Sequence, residues 1–574
     1  MRQILFFCLA ALCFCRNSAV AQAIPEIHRE NRSYTYDEVI RHYELLDKKF
    51  RNAQLLTYGL TDVGKPLQLF VLSGIRGITP ELAKKNDVPV LFILNGIHPG
   101  EPDGIDASLH LSEWLLTKAD SLLERIAICI VPSYNIDGML NRGCCSRANQ
   151  DGPEAYGFRG NGRNLDLNRD FIKLDSDNAR SLAGMLRTWD PDFFIDTHVS
   201  NGADYQYTLT LLPTLAEKLS PVLRTFLQQE IWARSTEYMR HSGFDVTPYV
   251  DTYKDIPDSG LVAFTDLPRF SSGYTALFNC IGIVTETHML KPFPQRVEST
   301  LHFLKWASIY MHYQGKKMHK LRKAANDATA VQEWFPIQWA HDVTRYDEIL
   351  FKGYEAVYKT SNVTGLPRLY YDRSRPYEKN IRYYNRYAVT DSVKKPAAYI
   401  IPQAWDEIVR RMEWNHIPLE KLRHDTVMEV EAYRITGYET SKRPYEGHYI
   451  HSQVKTETVR ISQQFRAGDI VIRTGTAADY FIVSVLEPRA ADSYFCWGFF
   501  DSVLQQKEWF SDYVWEDKAE ELLRTDENLR RTFEEQKNSD PDFAKSSFSQ
   551  LYFIYRHSPY YEPSHSMYPV FRLH

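Results

Sequence analysis

The chain has 574 residues, with 68 lysines and arginines against 73 aspartates and glutamates and a formal net charge of −5. That length accommodates two or more domains with full cores, and the mildly acidic balance, with no basic block, argues against nucleic acid or an anionic membrane as the main partner. Of the eight cysteines, three lie within the first fifteen residues, and the five that remain are too few for a disulfide scaffold.

Residues 1–23 read as a secretory signal peptide. Met1-Arg2 leads into an apolar run from Ile4 to Cys15, and Ala19-Val20-Ala21 supplies a small-x-small cleavage signal, with cleavage after Ala21 or Ala23. The run is too short to span a bilayer as a mature helix. Leu12 and Phe14, which precede Cys13 and Cys15, are too bulky for a usual lipobox. No later apolar stretch is long enough to cross a membrane, so the expectation is a secreted or periplasmic protein without a membrane span. Cys129, Cys144, Cys145, Cys280 and Cys496 remain after the leader. Cys144 and Cys145 are adjacent and not expected to pair with each other; a bridge from one of them to a distant cysteine and free buried thiols both stay open.

Residues 24–325 alternate strand and helix patterns. Tyr36 to Phe50 has helical periodicity, and Leu55–Tyr58 and Leu67–Ser73 flank the turn Thr61-Asp-Val-Gly-Lys-Pro66 as strands. Val88–Leu94 and Ile126–Pro132 are apolar core strands separated by a helix over Ile105–Thr117. Phe193–His198 and Gly282–Thr287 are further apolar strands, and Gln295–Tyr313 is a closing helix. Such alternation predicts an α/β fold, a largely parallel mixed sheet sandwiched between helices. Past the charged run Lys316–Lys323 and the small-residue stretch Ala324–Ala330 the texture changes. Residues 326–574 are expected to form a C-terminal accessory region, strand-rich and tyrosine-rich, with a helical tail from about Glu516 to Gln536.

The most informative segment is Val88-Pro-Val-Leu-Phe-Ile-Leu-Asn-Gly-Ile-His-Pro-Gly-Glu101. A core strand empties into a Gly/Pro turn that places His98 and Glu101 three residues apart, where an imidazole and a carboxylate both reach one metal ion. About two His-x-x-acid pairs are expected by chance in a chain of this composition, and two occur. The other, His110 and Glu113, lies inside a helical pattern and reads as an i,i+3 surface pair. His98 differs because it follows the end of an apolar strand, where α/β enzymes place ligands.

Four further segments belong with it. Asn164-Leu-Asp-Leu-Asn-Arg-Asp170 sets an amide beside a guanidinium, and Arg159-Gly-Asn-Gly162 holds another arginine in a glycine-rich turn. Phe193-Phe-Ile-Asp-Thr-His198 ends a core strand in a histidine. Gly282-Ile-Val-Thr-Glu-Thr287 puts a carboxylate inside an apolar strand, a costly place unless it is paired or functional. Each also has a plain structural reading: His98 as a turn residue, His198 as a core histidine bonded to a carbonyl, Arg169 in a salt bridge with Asp170 or Asp175, His288 as structural.

The ordered set His98-Pro-Gly-Glu101, Asp166-Leu-Asn-Arg169, His198 and Glu286 resembles the zinc metallocarboxypeptidases of the carboxypeptidase A type, as does Gly59-x-x-x-x-Gly64-Lys-Pro-Leu67 their N-terminal hairpin. The resemblance covers residues 30–325. It implies that His98, Glu101 and His198 ligate one Zn²⁺ and that Asp166 orients His98. It further implies that Glu286 is the general base toward the attacking water, and that Asn168 and Arg169 bind the free C-terminal carboxylate of a peptide substrate. Arg159 is the candidate for stabilising the oxyanion, at a spacing similar to that of the cytosolic carboxypeptidase branch, with Arg163 as its competitor. The family's mobile tyrosine has no clear counterpart; Tyr274 is the candidate.

The function so implied is a zinc carboxypeptidase that removes C-terminal residues from peptides, peptidoglycan stem peptides among them. The alternatives are a zinc deacylase of the aspartoacylase type, against which the fuller hairpin and the large second region argue, and a non-catalytic peptide-binding protein on the same scaffold, which need not hold stoichiometric zinc.

Overall fold

The structure, a computed structural model, describes residues 23–574. The expected leader falls, apart from Ala23, outside the described residues. Among those described, no helix is long and apolar enough to cross a membrane.

Nine strands build the first part of the chain: β1 (Ala53–Leu60), β2 (Pro66–Ser73), β3 (Val90–Leu94), β4 (Ala127–Val131), β5 (Phe193–Ser200), β6 (Leu209–Pro213), β7 (Val246–Pro248), β8 (Leu261–Val262) and β9 (Ile281–His288). All but β8 form one sheet in the order β1-β2-β4-β3-β5-β9-β6-β7. Its centre, β4-β3-β5-β9, is parallel, while β1-β2, β2-β4 and β9-β6 are antiparallel. The central strands are apolar on every residue of β3 and β4 because helices cover both faces of a parallel sheet. This is the α/β architecture the alternating pattern predicts.

The helices that flank the sheet begin where capping residues fall. Thr35 and Glu38 form a reciprocal capping box for Tyr36–Lys49, and the Ser176 hydroxyl accepts from the Ala179 N–H at the start of Asp177–Trp189. The helix Asp103–Thr117 packs against a long helix, Phe293–Val331. The closing helix is longer than the expected Gln295–Tyr313: it spans Phe293–Val331, 39 residues, and runs through position 325. The small-residue stretch Ala324–Ala330 is alanine-rich, and alanine is the best helix former. The pair His110 and Glu113 also differs from expectation. His110 is buried against the His28 ring, and Glu113 instead accepts from the backbone N–H of Ile24, because the segment from Ile24 to Tyr34 covers this helix.

Beyond Val331 the chain is strand-rich. A long hairpin, Asp347–Thr360 with Pro367–Tyr384, docks in parallel on β8. Trp334–His341 pairs with Tyr387–Lys394, and a six-stranded sheet includes the hairpin Thr426–Thr440 with His451–Phe465. The helical tail is longer than expected, with helices at Asp512–Thr525, Glu527–Ser539 and Ser547–Arg556 around Trp515, Phe533 and Tyr555. It is not terminal, since Phe571–Leu573 returns to pair with Ala398–Ile401 in the six-stranded sheet. One continuous apolar core joins the two parts, and Phe278 stacks on Phe481 at 5.1 Å across them.

Candidate metal centre and active site

β3 ends at Leu94, and the chain turns through Asn95-Gly96-Ile97 to His98. Gly96 adopts φ +68°, which glycine takes without strain. The Asn95 side chain fixes the turn: its amide donates to the Val131 carbonyl at 3.0 Å, and its Oδ1 accepts from the hydroxyls of Thr197 at 2.9 Å and Ser108 at 3.1 Å. The next helix packs so closely that a Cβ on Gly104 would lie 1.9 Å from Thr197 Oγ1. His98 follows β3 and His198 lies toward the end of β5; strand order diverges between these two strands, the position at which open α/β sheets gather ligands.

His98, Glu101 and His198 are brought together there, with one ligand atom from each within 4.8 Å of the others. Nδ1 of His98 lies 3.2 Å from Glu101 Oε1, and Nδ1 of His198 lies 3.0 Å from Glu101 Oε2. The far nitrogens have carboxylate partners: His98 Nε2 is 2.9 Å from Asp166 Oδ1, and His198 Nε2 is 3.0 Å from Asp196 Oδ2. Assigning the proton of each ring to Nε2 from these partners leaves both Nδ1 lone pairs facing Glu101. His98 Nδ1 is buried without a hydrogen-bond partner, as suits an atom whose partner is a metal. Two imidazoles and one carboxylate, each oriented from behind, fit Zn²⁺ with a position left open.

The surrounding field favours positive charge. Burial pulls His198 down, but the carboxylates of Asp196 and Glu101 outweigh it and hold the ring well above the usual histidine range. Burial pushes Glu101 up, yet Arg147 and His98 bring it well below the usual carboxylate range. Asp166 is likewise depressed, its burial outweighed by His98, Arg159 and Arg169.

Glu286 sits in register with His198 across β5 and β9. Burial, with Glu101 and Asp196 nearby, pushes its carboxyl up to about 8, against the lowering influence of His198 and Arg147. A carboxylate so raised has the basicity of a proton acceptor at neutral pH. It shares a cavity of about 540 Å³ with His98, Glu101, His198, Arg159, Asn168 and Arg169.

Of the two arginines considered for the oxyanion, only Arg159 lines this cavity. Its Nε donates to Asp166 Oδ2 at 2.9 Å and its Nη1 is 3.7 Å from Glu101 Oε1. Arg163 points away and donates to the Asp175 carbonyl at 2.7 Å. Arg169 forms no pair with Asp170 or Asp175; its Nε donates to the Tyr445 hydroxyl at 2.9 Å and its face lies 4.6 Å from the Phe270 ring. His288 is structural, with Nε2 2.9 Å from the Ala203 carbonyl.

Tyr274 does not reach the cavity, which corrects the expectation that it contacts substrate. It lies in the helix Ser271–Ala276, fully buried, and its hydroxyl donates to Asn415 Oδ1 at 2.6 Å. Tyr249 lines the cavity in its place. The second correction is the pairing of Cys144 with Cys145, a vicinal disulfide, with Cys129, Cys280 and Cys496 free and buried. The peptide between them adopts a turn, with φ +79° at Cys145, that brings adjacent sulfurs together.

Three further groups at the site carry no local signal in the sequence. Asp196 lies two residues before His198 in the strand Phe193–Ser200, and only the fold turns it toward that ring. Arg147, which follows the disulfide, donates to Glu101 Oε1 at 2.7 Å and to the Val199 carbonyl at 2.9 Å. Tyr445 and Glu446 come from the accessory region, which carried no motif.

Residues 42–191 match the zinc carboxypeptidase family, peptidase M14. The matched stretch holds His98, Glu101, Asp166, Asn168 and Arg169 and ends before His198 and Glu286. Carboxypeptidase 2 of Trichophyton tonsurans is 23% identical over 442 residues, covering 71% of this chain and 73% of that protein. A probable carboxypeptidase 2 of Arthroderma benhamiae is 23% identical over 430 residues, covering 70% of this chain and 74% of that protein. Among solved structures, a metallo-carboxypeptidase from Burkholderia cenocepacia is similar at 17% identity and a TM-score of 0.36, covering 49% of this chain and 70% of that one.

Proposed function

We propose, from the match of residues 42–191 to the zinc carboxypeptidase family and the likeness to carboxypeptidase 2, that this chain is an exopeptidase that hydrolyses the last peptide bond of peptides ending in a free carboxylate. The observation that carries this reading is the sharing of one cavity by the His98-Glu101-His198 cluster, Glu286 and Arg169. Peptidoglycan stem peptides are one candidate substrate class, and export through the leader gives access to them.

His98 and His198, through Nδ1, and Glu101 would hold one Zn²⁺. When bound, zinc supplies Lewis acidity that polarises a carbonyl and acidifies water. Asp166 and Asp196 keep the two imidazoles in one tautomer and one orientation. Glu286 takes a proton from the attacking water and delivers it to the leaving amine nitrogen, so one carboxyl serves as base and then as acid. Arg159 donates to the oxygen that gains charge as the carbonyl carbon becomes tetrahedral, and Arg147, the deeper of the two cations, shares that field. Arg169 and the Asn168 side chain hold the terminal carboxylate.

The test compares kcat/KM for a peptide and its C-terminal amide in wild type and in Arg169→Ala. The amide loses a charge-assisted pair worth about 1.5–3 kcal/mol, roughly tenfold or more in kcat/KM, and the variant loses the preference. Equal cleavage of both by wild type rules out the carboxypeptidase reading.

A further inference from the structure

The arginine assigned to the substrate carboxylate is held by a part of the chain outside the family match. Between the strands Thr426–Thr440 and His451–Phe465 the chain makes a loop whose tip is closed by paired backbone hydrogen bonds between Tyr445 and His448, at 2.7 and 3.1 Å. Glu446, at φ +49°, and Gly447, at φ +83°, make the reversal. The loop is fixed on both sides. His448 Nε2 lies 2.7 Å from Asp175 Oδ2, and the Tyr445 ring is flanked by Trp497 at 6.2 Å and by the Arg269 guanidinium at 5.3 Å. Arg269 is in turn bound at 2.8 Å to Asp492.

Two hydrogen bonds join this tip to the active-site strip. The Asp166 N–H donates to Glu446 Oε2 at 2.7 Å, across 280 residues of sequence. Arg169 Nε donates to the Tyr445 hydroxyl at 2.9 Å, across 276. One Nη1 proton of Arg169 goes to the Asn168 carbonyl at 2.8 Å, and Phe270 covers a face of the guanidinium. A guanidinium offers five N–H groups and two edges suited to a carboxylate. With Nε taken by Tyr445 and one Nη1 proton by Asn168, and with Asp166 Oδ2 3.9 Å from Nη1, the protons left for bidentate recognition are those of Nη2 and the second one of Nη1.

We propose that Tyr445 is a positioning residue, and that the accessory region, through this loop, fixes which edge of Arg169 receives the terminal carboxylate. The proposal rests on the carboxypeptidase reading above. Free-carboxylate selectivity is then a joint property of both parts of the chain. Without the hydroxyl, Nε is unpaired, the guanidinium turns more freely about its side chain, and the pre-aligned edge is lost. Binding of the carboxylate suffers, while the proton transfers at Glu286 do not.

The zinc-loaded enzyme is assayed with a peptide and its C-terminal amide as wild type, Tyr445→Phe, Arg169→Ala and the double variant. Tyr445→Phe is expected to raise KM for the peptide about tenfold with kcat changed less than about twofold, and to leave kcat/KM for the amide in place. In the Arg169→Ala background the same change is expected to add less than about twofold, because its effect acts through that arginine. Tyr445→Leu, compared by the same split, serves if the phenylalanine variant does not fold. An unchanged KM in an enzyme that does discriminate peptide from amide overturns the positioning role and leaves the carboxypeptidase reading standing. An equal loss on peptide and amide overturns it too, as a merely structural effect. Wild type that cleaves both alike overturns the reading and this inference together.

Discussion

His198 of β5 and Glu286 of β9 are register partners across two parallel strands. Side chains of directly paired residues project from the same face of a sheet, so the strand pairing itself sets the candidate base beside the metal cluster. A one-residue slip would turn Glu286 to the opposite face, and the buried Ile283, Val284, Thr285 and Thr287 of the same strand hold the register by their burial.

Glu286→Gln is expected to bind zinc as wild type does and to lose at least about 10²-fold in kcat, the usual value of a general base. Metal content by mass spectrometry, measured on the same preparation as the rate, checks both halves. A folded variant that has lost its zinc contradicts the assignment of Glu286 as base.

The pH profile follows from the same residue. Glu286 acts only when deprotonated, so kcat/KM rises with pH as its proton leaves. Its carboxyl lies at about 8 without a metal, and a dication held by the neighbouring ligands draws it lower. The acid limb of the zinc enzyme is therefore expected below 8. Arg147 lowers this carboxyl, so Arg147→Ala is expected to move the limb to higher pH. A limb unmoved or shifted downward contradicts that sign.

Arg159 and Arg163 separate cleanly by geometry. Arg159→Ala removes a donor beside the cluster and is expected to lower kcat by about 10²-fold or more. Arg163→Ala loses an exposed bond to the Asp175 carbonyl and is expected to stay within about twofold of wild type, with stability changed by less than about 0.5 kcal/mol. Steady-state kinetics on both variants decides between them.

Tyr274→Phe leaves a buried Asn415 Oδ1 without its donor, which costs about 1–3 kcal/mol and lowers Tm, with kcat/KM unchanged. A loss of activity at unchanged stability would return Tyr274 to the substrate.

These residues also show what a sequence can disclose. His98 and Glu101 were legible because both lie on one turn after one apolar strand, so spacing alone brings them together. Glu286 was legible as a carboxylate in an apolar run. The parallel sheet followed from continuous apolar strands alternating with helices. Tyr274 was a candidate through the resemblance alone, and the resemblance does not say which face of the short helix Ser271–Ala276 meets the core. Asp196 precedes His198 by two residues, but its role depends on how the histidine ring turns. Arg147, Tyr445 and Glu446 act across separations of 46, 276 and 280 residues, beyond any local pattern. The vicinal disulfide required a backbone turn that neither cysteine announces.

The most direct measurement is the mass spectrum of products over time from an unmodified peptide incubated with the enzyme, with a chelator, and with the chelator followed by zinc. The account predicts a ladder of products that shorten one residue at a time from the C-terminus, absent with the chelator and restored by zinc. Internal fragments, release of an acyl group in place of an amino acid, or a ladder that persists when the metal is removed would contradict it.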